Sequence, residues 1–271
     1  KIPFLRKEMS EEEESKLPLL KWDVDTNVEG GVIWPRVSSE SPPENHVDSW
    51  CYLPAPLFPV RQPGYATTKQ KAPSQSPIYE PIWGKMIPGA IKDPVGELDY
   101  LRGFVERFPD RQFFITNRLL PGAPEPTSVL FLYLRTLPPN PTLDALLSSC
   151  FSSVEVGNAR LKYMATLPTA PYVVKASVKA LGGERPVIMG NGYLDQEWHS
   201  GPNYAAVTVD VSSSRIARSI CATILSKSDA IVIDEGFVVE GVEDDELPER
   251  LLGAVRFLHS KVERLRGGWG S

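Results

Sequence analysis

Apolar and polar positions along this chain repeat with two periods, and each change of period marks an element. Leu98, Leu101, Val105 and Phe108 recur at helical spacing until Pro109 ends the run. Residues 112–119 and 128–135 read as two strands flanking Pro121-Gly122-Ala123-Pro124, a hairpin with a long loop. Thr142 is placed to cap a short helix whose apolar side is Leu143, Leu146, Leu147, Cys150 and Phe151. Residues 160–167, 172–180, 186–189 and 204–211 follow as strands. In the last of these Val207, Val209 and Val211 share one side, Thr208 and Asp210 the other. Ser212, Ser213 and Ser214 offer caps for the clearest helix, with the inward stripe Ile216, Ala217, Ile220, Cys221, Ile224 and Leu225. Residues 230–239 form a further strand, and 253–261 is strand or helix by periodicity alone. Strands joined by short turns, with few helices between them, predict an α+β fold: a mainly antiparallel β-sheet with a few helices packed on one face.

Residues 1–95 carry no sustained period. Their landmarks are Trp22, Trp34, Trp50 and Trp83, set among prolines; of 26 prolines, fourteen fall in residues 1–100 and only five after residue 141. Proline fixes φ and removes a donor, so this stretch is expected to be extended. Its aromatics set it apart from a disordered linker, and they predict a segment pinned along a surface, its own domain's or a partner's. The expected organisation is an extended arm (1–47) and a single domain (48–265), followed by a tail (266–271). The domain divides into an irregular lead-in (48–95) and an α+β core (96–265).

The chain is 42% hydrophobic and 23% charged over 271 residues, enough for a sizeable core. A net charge of −5 and an isoelectric point near 5.4 argue against nucleic acid as a partner, because phosphate contacts need clustered lysine and arginine. The acidic run Glu11 to Glu14 reads as a solvated stretch. Cys51, Cys150 and Cys221 are far apart and lack metal-ligand spacing; Cys150 and Cys221 fall on apolar helix faces and read as small core residues. Their usage fits an intracellular, reducing compartment, cytoplasmic or organellar. The longest apolar run, 129–134, is far too short for a membrane span, so any membrane contact is expected to be peripheral.

No catalytic centre, metal site or cofactor motif is expected. Asp23, Asp25 and Asn27 imitate the start of a calcium loop, but Val28 and Trp34 occupy the positions that need glycine and a closing acid. Glu243, Asp244, Asp245 and Glu246 read as a solvated cluster, with Glu249 in the first turn of a short helix. Gly190-Asn191-Gly192 is a turn signal rather than a phosphate loop. An enzyme would require His199 or His259 beside a carboxylate in a deep cleft. Two groups are placed to bind a ligand: Arg61, Lys69 and Lys71 with Tyr65, suited to an anionic headgroup, and Trp198 with His199 as a loop anchor.

Several segments carry a resemblance. They are Phe114-Ile115-Thr116-Asn117 with Pro121-Gly122, Gly157-Asn158-Ala159-Arg160-Leu161-Lys162, and Arg185-Pro186-Val187-Ile188-Met189-Gly190. Gly201-Pro202-Asn203-Tyr204, the triple serine 212–214 and Glu246-Leu247-Pro248-Glu249-Arg250 complete the series. In order and spacing this resembles the C-terminal domain of the plant "enhanced disease resistance 2" proteins. Trp50, Phe58-Pro59-Val60-Arg61, Tyr65 and Lys69-Gln70-Lys71 resemble its leading segment. The chain departs from that pattern at Ala205 and Ala206, where the family has an acid. It also departs at Leu161, which replaces an aromatic residue, and at Leu181-Gly182-Gly183-Glu184, which looks inserted.

In plants such domains often follow pleckstrin-homology and lipid-transfer domains. The resemblance therefore implies a non-enzymatic, lipid- or membrane-associated interaction module, with an apolar pocket enclosed by sheet and helices. The alternative is a peripheral accessory subunit of a larger complex, at an organellar or thylakoid membrane. In that case the arm with Trp22, Trp34, Trp50 and Trp83 would bind partner subunits.

Overall fold

A computed structural model describes residues 32–39, 46–53, 55–122, 125–180, 186–190 and 192–260. Trp22, the acidic run, the calcium-loop imitation and the 181–184 segment lie outside the described residues.

The strands divide between two main sheets. The first has six strands in the order β1 (Val32–Ile33), β5 (Tyr79–Pro88), β7 (Thr127–Arg135), β6 (Phe113–Leu120), β11 (Tyr204–Asp210), β10 (Asp195–Ser200). The second has five, in the order β2 (Ser49–Tyr52), β13 (Leu251–Leu258), β12 (Val232–Val239), β8 (Leu161–Thr169), β9 (Val187–Ile188). All neighbours in these sheets are antiparallel except β6 and β11, which run parallel from Phe113↔Tyr204 to Leu119↔Asp210. A small ribbon, β3 (Pro59–Arg61) with β4 (Lys71–Pro73), lies outside the second sheet. The α+β class with mainly antiparallel pairing holds.

Side chains that alternate along β6 explain the layering. Phe114, Thr116 and Arg118 point between the sheets; Phe113, Ile115 and Asn117 point outward. The inter-sheet layer is built of rings. Phe131 stands edge-on to Trp50 (5.4 Å, 82°) and to Phe257 (5.2 Å, 84°). Gly253 allows the close approach there, since a Cβ would sit 2.6 Å from the Tyr133 ring. Among the described residues these rings fill the space between the sheets: Trp50, Phe114, Phe131, Tyr133 and Phe237 are at most 1% exposed.

The outer face of the first sheet is covered by α2 (Pro94–Glu97) and α3 (Asp99–Arg107), with Leu101, Phe104 and Val105 on Phe113, Ile115, Leu130 and Leu132. The Asn203 side-chain amide donates to the Val105 and Phe108 carbonyls at 2.8 and 3.1 Å, closing the C-terminal end of α3. On the second sheet, β3–β4 covers Met164, Val238, Leu251 and Ala254 through Phe58 and Val60. Beside it, α6 (Tyr172–Ala180) and α7 (Arg215–Leu225) pack on Leu167 and Ile231. The remaining helices are the single turn α1 (Tyr65–Thr68), α4 (Pro141–Ser152) and α5 (Val154–Arg160).

Three expectations change. The 48–95 stretch is not irregular: it holds β2, β3, β4 and the ten-residue β5, deep in the first sheet. Pro81 sits in β5 without breaking it, because β1 pairs only with Lys85 and Met86 and the register shifts beside the proline. Trp34, Trp50 and Trp83, expected on a partner-binding arm, are core residues at 4%, 1% and 7% exposure. Residues 172–180 are a helix, not a strand. Val174 and Val178, one turn apart, both point inward, and the Pro171 carbonyl accepts from Val174 and Lys175 N–H. Tertiary packing overrides the β-branched preference there.

Two helix details also differ. Asn140, not Thr142, caps α4, since Pro141 takes the first helical position. Ser214 caps α7 as expected, but only Cys221 of the expected stripe is fully buried and Ile216 is 61% exposed.

Candidate functional site

The β3–β4 ribbon turns through α1, bracketed by Gly64 (φ 73°) and Lys69 (φ 54°), both in the left-handed region. That tight return places Arg61 opposite Lys71 in the ribbon register. It also folds the Arg61 guanidinium over the Tyr65 ring at 4.7 Å, with the Lys69 ammonium 5.5 Å from the same ring. The four residues grouped from the sequence therefore converge.

Two carboxylates from the far end of the chain meet them. Arg61 Nη1 lies 2.5 Å from Glu240 Oε1, just past the end of β12. Lys162 Nζ, on β8, donates to Glu249 Oε1 at 2.5 Å and lies 3.6 Å from Glu240 Oε2. Glu249 also accepts from the backbone N–H groups of Gly241 (3.2 Å) and Arg61 (3.1 Å). Burial lowers the Lys162 pKa, and Glu249 and Glu240 oppose that shift only in part. Next to this network Arg160 pairs with Glu246 at 2.7 Å. Burial alone would raise the Glu246 carboxyl, yet the Val242 and Glu243 N–H groups and Arg160 outweigh it and hold it low.

The network opens to solvent through a recess of about 420 Å³ lined by Arg61, Lys71, Lys162, Pro186, Ile188 and Glu240. Lys71, exposed at the rim, makes no ion pair among the described residues. Three cations thus face one lining carboxylate, with Glu249 beneath.

Other expected residues lie elsewhere. Trp198 and His199 are on β10, a strand rather than a loop. The Trp198 indole N–H donates to Asn158 (3.0 Å), and the ring lies against Phe151 and Gly157. His199 Nδ1 lies 3.5 Å from Asp93, but neither residue lines this recess or the second one, of about 400 Å³, beside Tyr79, Arg135 and Phe151. His259 faces the Asp229 carbonyl. The acidic cluster is solvated at Glu243, Asp244 and Asp245, but Glu246 is half-buried and paired. Glu249 is not in a helix; it is buried between Arg61 and Lys162.

Sequence reasoning missed Lys162, Glu240 and Glu249 as site residues. The usable signal was a lysine inside an otherwise apolar strand and a glutamate after Leu247-Pro248, both within the family-like segments. Cys51, Cys150 and Cys221 are buried thiols; burial pushes Cys150 up to about 12. Among the described residues no group of three His, Cys, Asp or Glu side chains is placed to hold a metal ion. No helix among them is long and apolar enough to cross a membrane.

The family model described as "Protein ENHANCED DISEASE RESISTANCE 2, C-terminal" matches residues 50–260. A relative from Arabidopsis thaliana, "Protein ENHANCED DISEASE RESISTANCE 2-like", is 28% identical over 148 residues, 55% of this chain and 20% of the relative. The chain therefore spans about a fifth of the length of that relative. No solved structure matches.

Proposed function

This chain belongs to the enhanced disease resistance 2 C-terminal family, and from that premise we propose that it is a non-enzymatic, membrane-associated binding module whose recess takes a phosphate-like anion. The observation that carries this reading is the convergence of Arg61, Lys71 and Lys162 on one opening. Burial disfavours the Lys162 charge and lowers its pKa, with Glu249 and Glu240 opposing that shift only in part. An arriving anion supplies the negative field that Glu240 supplies only at 3.6 Å. Arg61 offers a planar fork for two oxygens, and Lys71 a mobile point charge at the rim.

Support for a non-enzymatic role is chemical. The thiols are buried and, at Cys51 and Cys150, raised, so neither is poised as a nucleophile. The His199–Asp93 pair lines neither recess. Reading the chain as an accessory subunit loses its main support among the described residues, because the tryptophans meant for a partner fill its own core.

The test is calorimetric titration with inorganic phosphate, and separately with vesicles carrying a phosphatidylinositol monophosphate. Binding to both, weakened by Arg61→Gln, identifies a phosphate site; binding to the vesicles alone makes the lipid headgroup the ligand. Heat from neither probe discards the reading.

A further inference from the structure

We propose that the outer face of α6 and α7 is a second binding surface, one that lies against an anionic bilayer. Across these two helices stand four cations, Lys175, Lys179, Arg215 and Arg218, and no acidic residue, in a chain whose net charge is −5. All four cations are exposed. Among the described residues Lys175 reaches only the Pro168 carbonyl and Arg218 only the Ser212 carbonyl, so neither is paired there with a carboxylate. The nearest acids in sequence are Glu184, four residues past α6, and Asp210 and Asp229 on either side of α7; Asp210 is bonded to Ser212.

The apolar residues on the same helices are distributed in a telling way. Val174 and Cys221 are buried, with Val178 and Ile224 packed beside them on Leu167 and Ile231; this is the inner face. Tyr172, Val173 and Ile216 remain outside, at 87%, 52% and 61% exposure. An exposed tyrosine, valine and isoleucine interleaved with cations match what an interfacial helix offers a membrane: side chains that enter the headgroup layer and charges that meet its phosphates. A nucleic acid would use the cations and gain nothing from the aliphatic groups, and the acidic chain as a whole repels a long polyanion. A bilayer of anionic lipid is therefore the occupant we commit to.

This surface is distinct from the recess. Lys162 and Leu167 are both on β8, five residues apart, so the recess and the helix pair are separated by about 17 Å along the strand. The inference is thus independent of the recess reading, and it supplies the membrane contact that the recess alone does not.

The experiment is co-sedimentation of the 271-residue chain with phosphatidylcholine vesicles, with and without phosphatidylserine. Binding is expected only with phosphatidylserine and is expected to fall as salt rises. Lys175→Gln with Lys179→Gln should weaken it about thirtyfold at low salt, roughly fivefold per cation removed. Ile216→Ser should weaken it about tenfold. Each variant's unfolding midpoint is measured alongside, and Arg215→Gln with Arg218→Gln replaces any variant that fails to fold. Phosphate titration should be unchanged in these helix variants and reduced in Arg61→Gln, which separates failure of the two sites. Equal binding to neutral vesicles, or parental binding by the helix variants, overturns the proposal. So does equal capture by heparin that is indifferent to Ile216→Ser.

Discussion

Two networks of opposite charges hang on the same strand, β12, and they differ in how water reaches them. In its middle, Glu235 pairs with Arg118 across the sandwich and accepts from the Tyr163 hydroxyl at 2.7 Å. The Arg118 guanidinium is walled by the Phe131 and Phe257 rings, 5.7 and 5.2 Å away. Just past the strand end, Glu240 pairs with Arg61, whose side chain is 26% exposed against 9% for Arg118. The pairing chemistry is alike, but solvent access sets what each can do. A sealed pair cannot exchange its partner, so it can only specify how the two sheets sit. The open pair can trade a carboxylate for an incoming anion, which is what a binding site requires.

The sharpest way to break the contrast is to cut the sealed pair. Arg118→Met leaves Glu235 buried without its cation and should cost about 3–5 kcal/mol of stability in urea unfolding. Adding Glu235→Leu removes the stranded charge, and most of that loss should return. If the double variant is no more stable than the single one, the sealed pair is not an isolated charge couple.

A pH series separates the two ends with smaller effects. Burial pushes Tyr133 and Tyr163, beside the sealed pair, up to about 12. A folded pKa above the unfolded 10.0 gives stability that is complete below pH 10 and is lost as pH rises toward 12. Glu246 behaves in the opposite sense. Its folded pKa lies below 4.5, so its contribution is present above that value and is lost as pH falls through the lower one. Alkali should therefore loosen the sealed interior, and acid the Arg160–Glu246 pin near the recess. Tyrosinate absorbance and amide exchange, followed against pH, check the assignment. Loss of both regions together at either extreme would erase the distinction.

How much of this was legible in the sequence depends on distance along the chain. The β6–β7 hairpin was placed within a residue at each end, because both strands are apolar runs bounded by turn residues. β5 was not seen: Pro81, Gly84 and Lys85 interrupt its pattern, and a strand buried on both faces has no alternation to read. β10 escaped because its run, Asp195-Gln196-Glu197-Trp198-His199-Ser200, is largely polar at a sheet edge. Of the six residues lining the recess, Arg61 and Lys71 were legible for the same local reason, being neighbours of Tyr65 and Lys69 in the sequence. Glu249 lies 188 residues from Arg61, and only the fold brings the two together.

The smallest perturbation discriminates most finely at the open end. Lys71 is exposed and its ribbon pairing is through the backbone, so Lys71→Gln should change stability by no more than about 0.5 kcal/mol. If the recess receives an anion, the same substitution should still weaken phosphate binding on the order of fivefold, since it removes one charge from the rim. The sealed pair has the reverse profile, large for stability and nil for binding. Unchanged phosphate affinity in Lys71→Gln would mean that Arg61, Lys162, Glu240 and Glu249 serve as a second structural pin, open to water but not to a ligand.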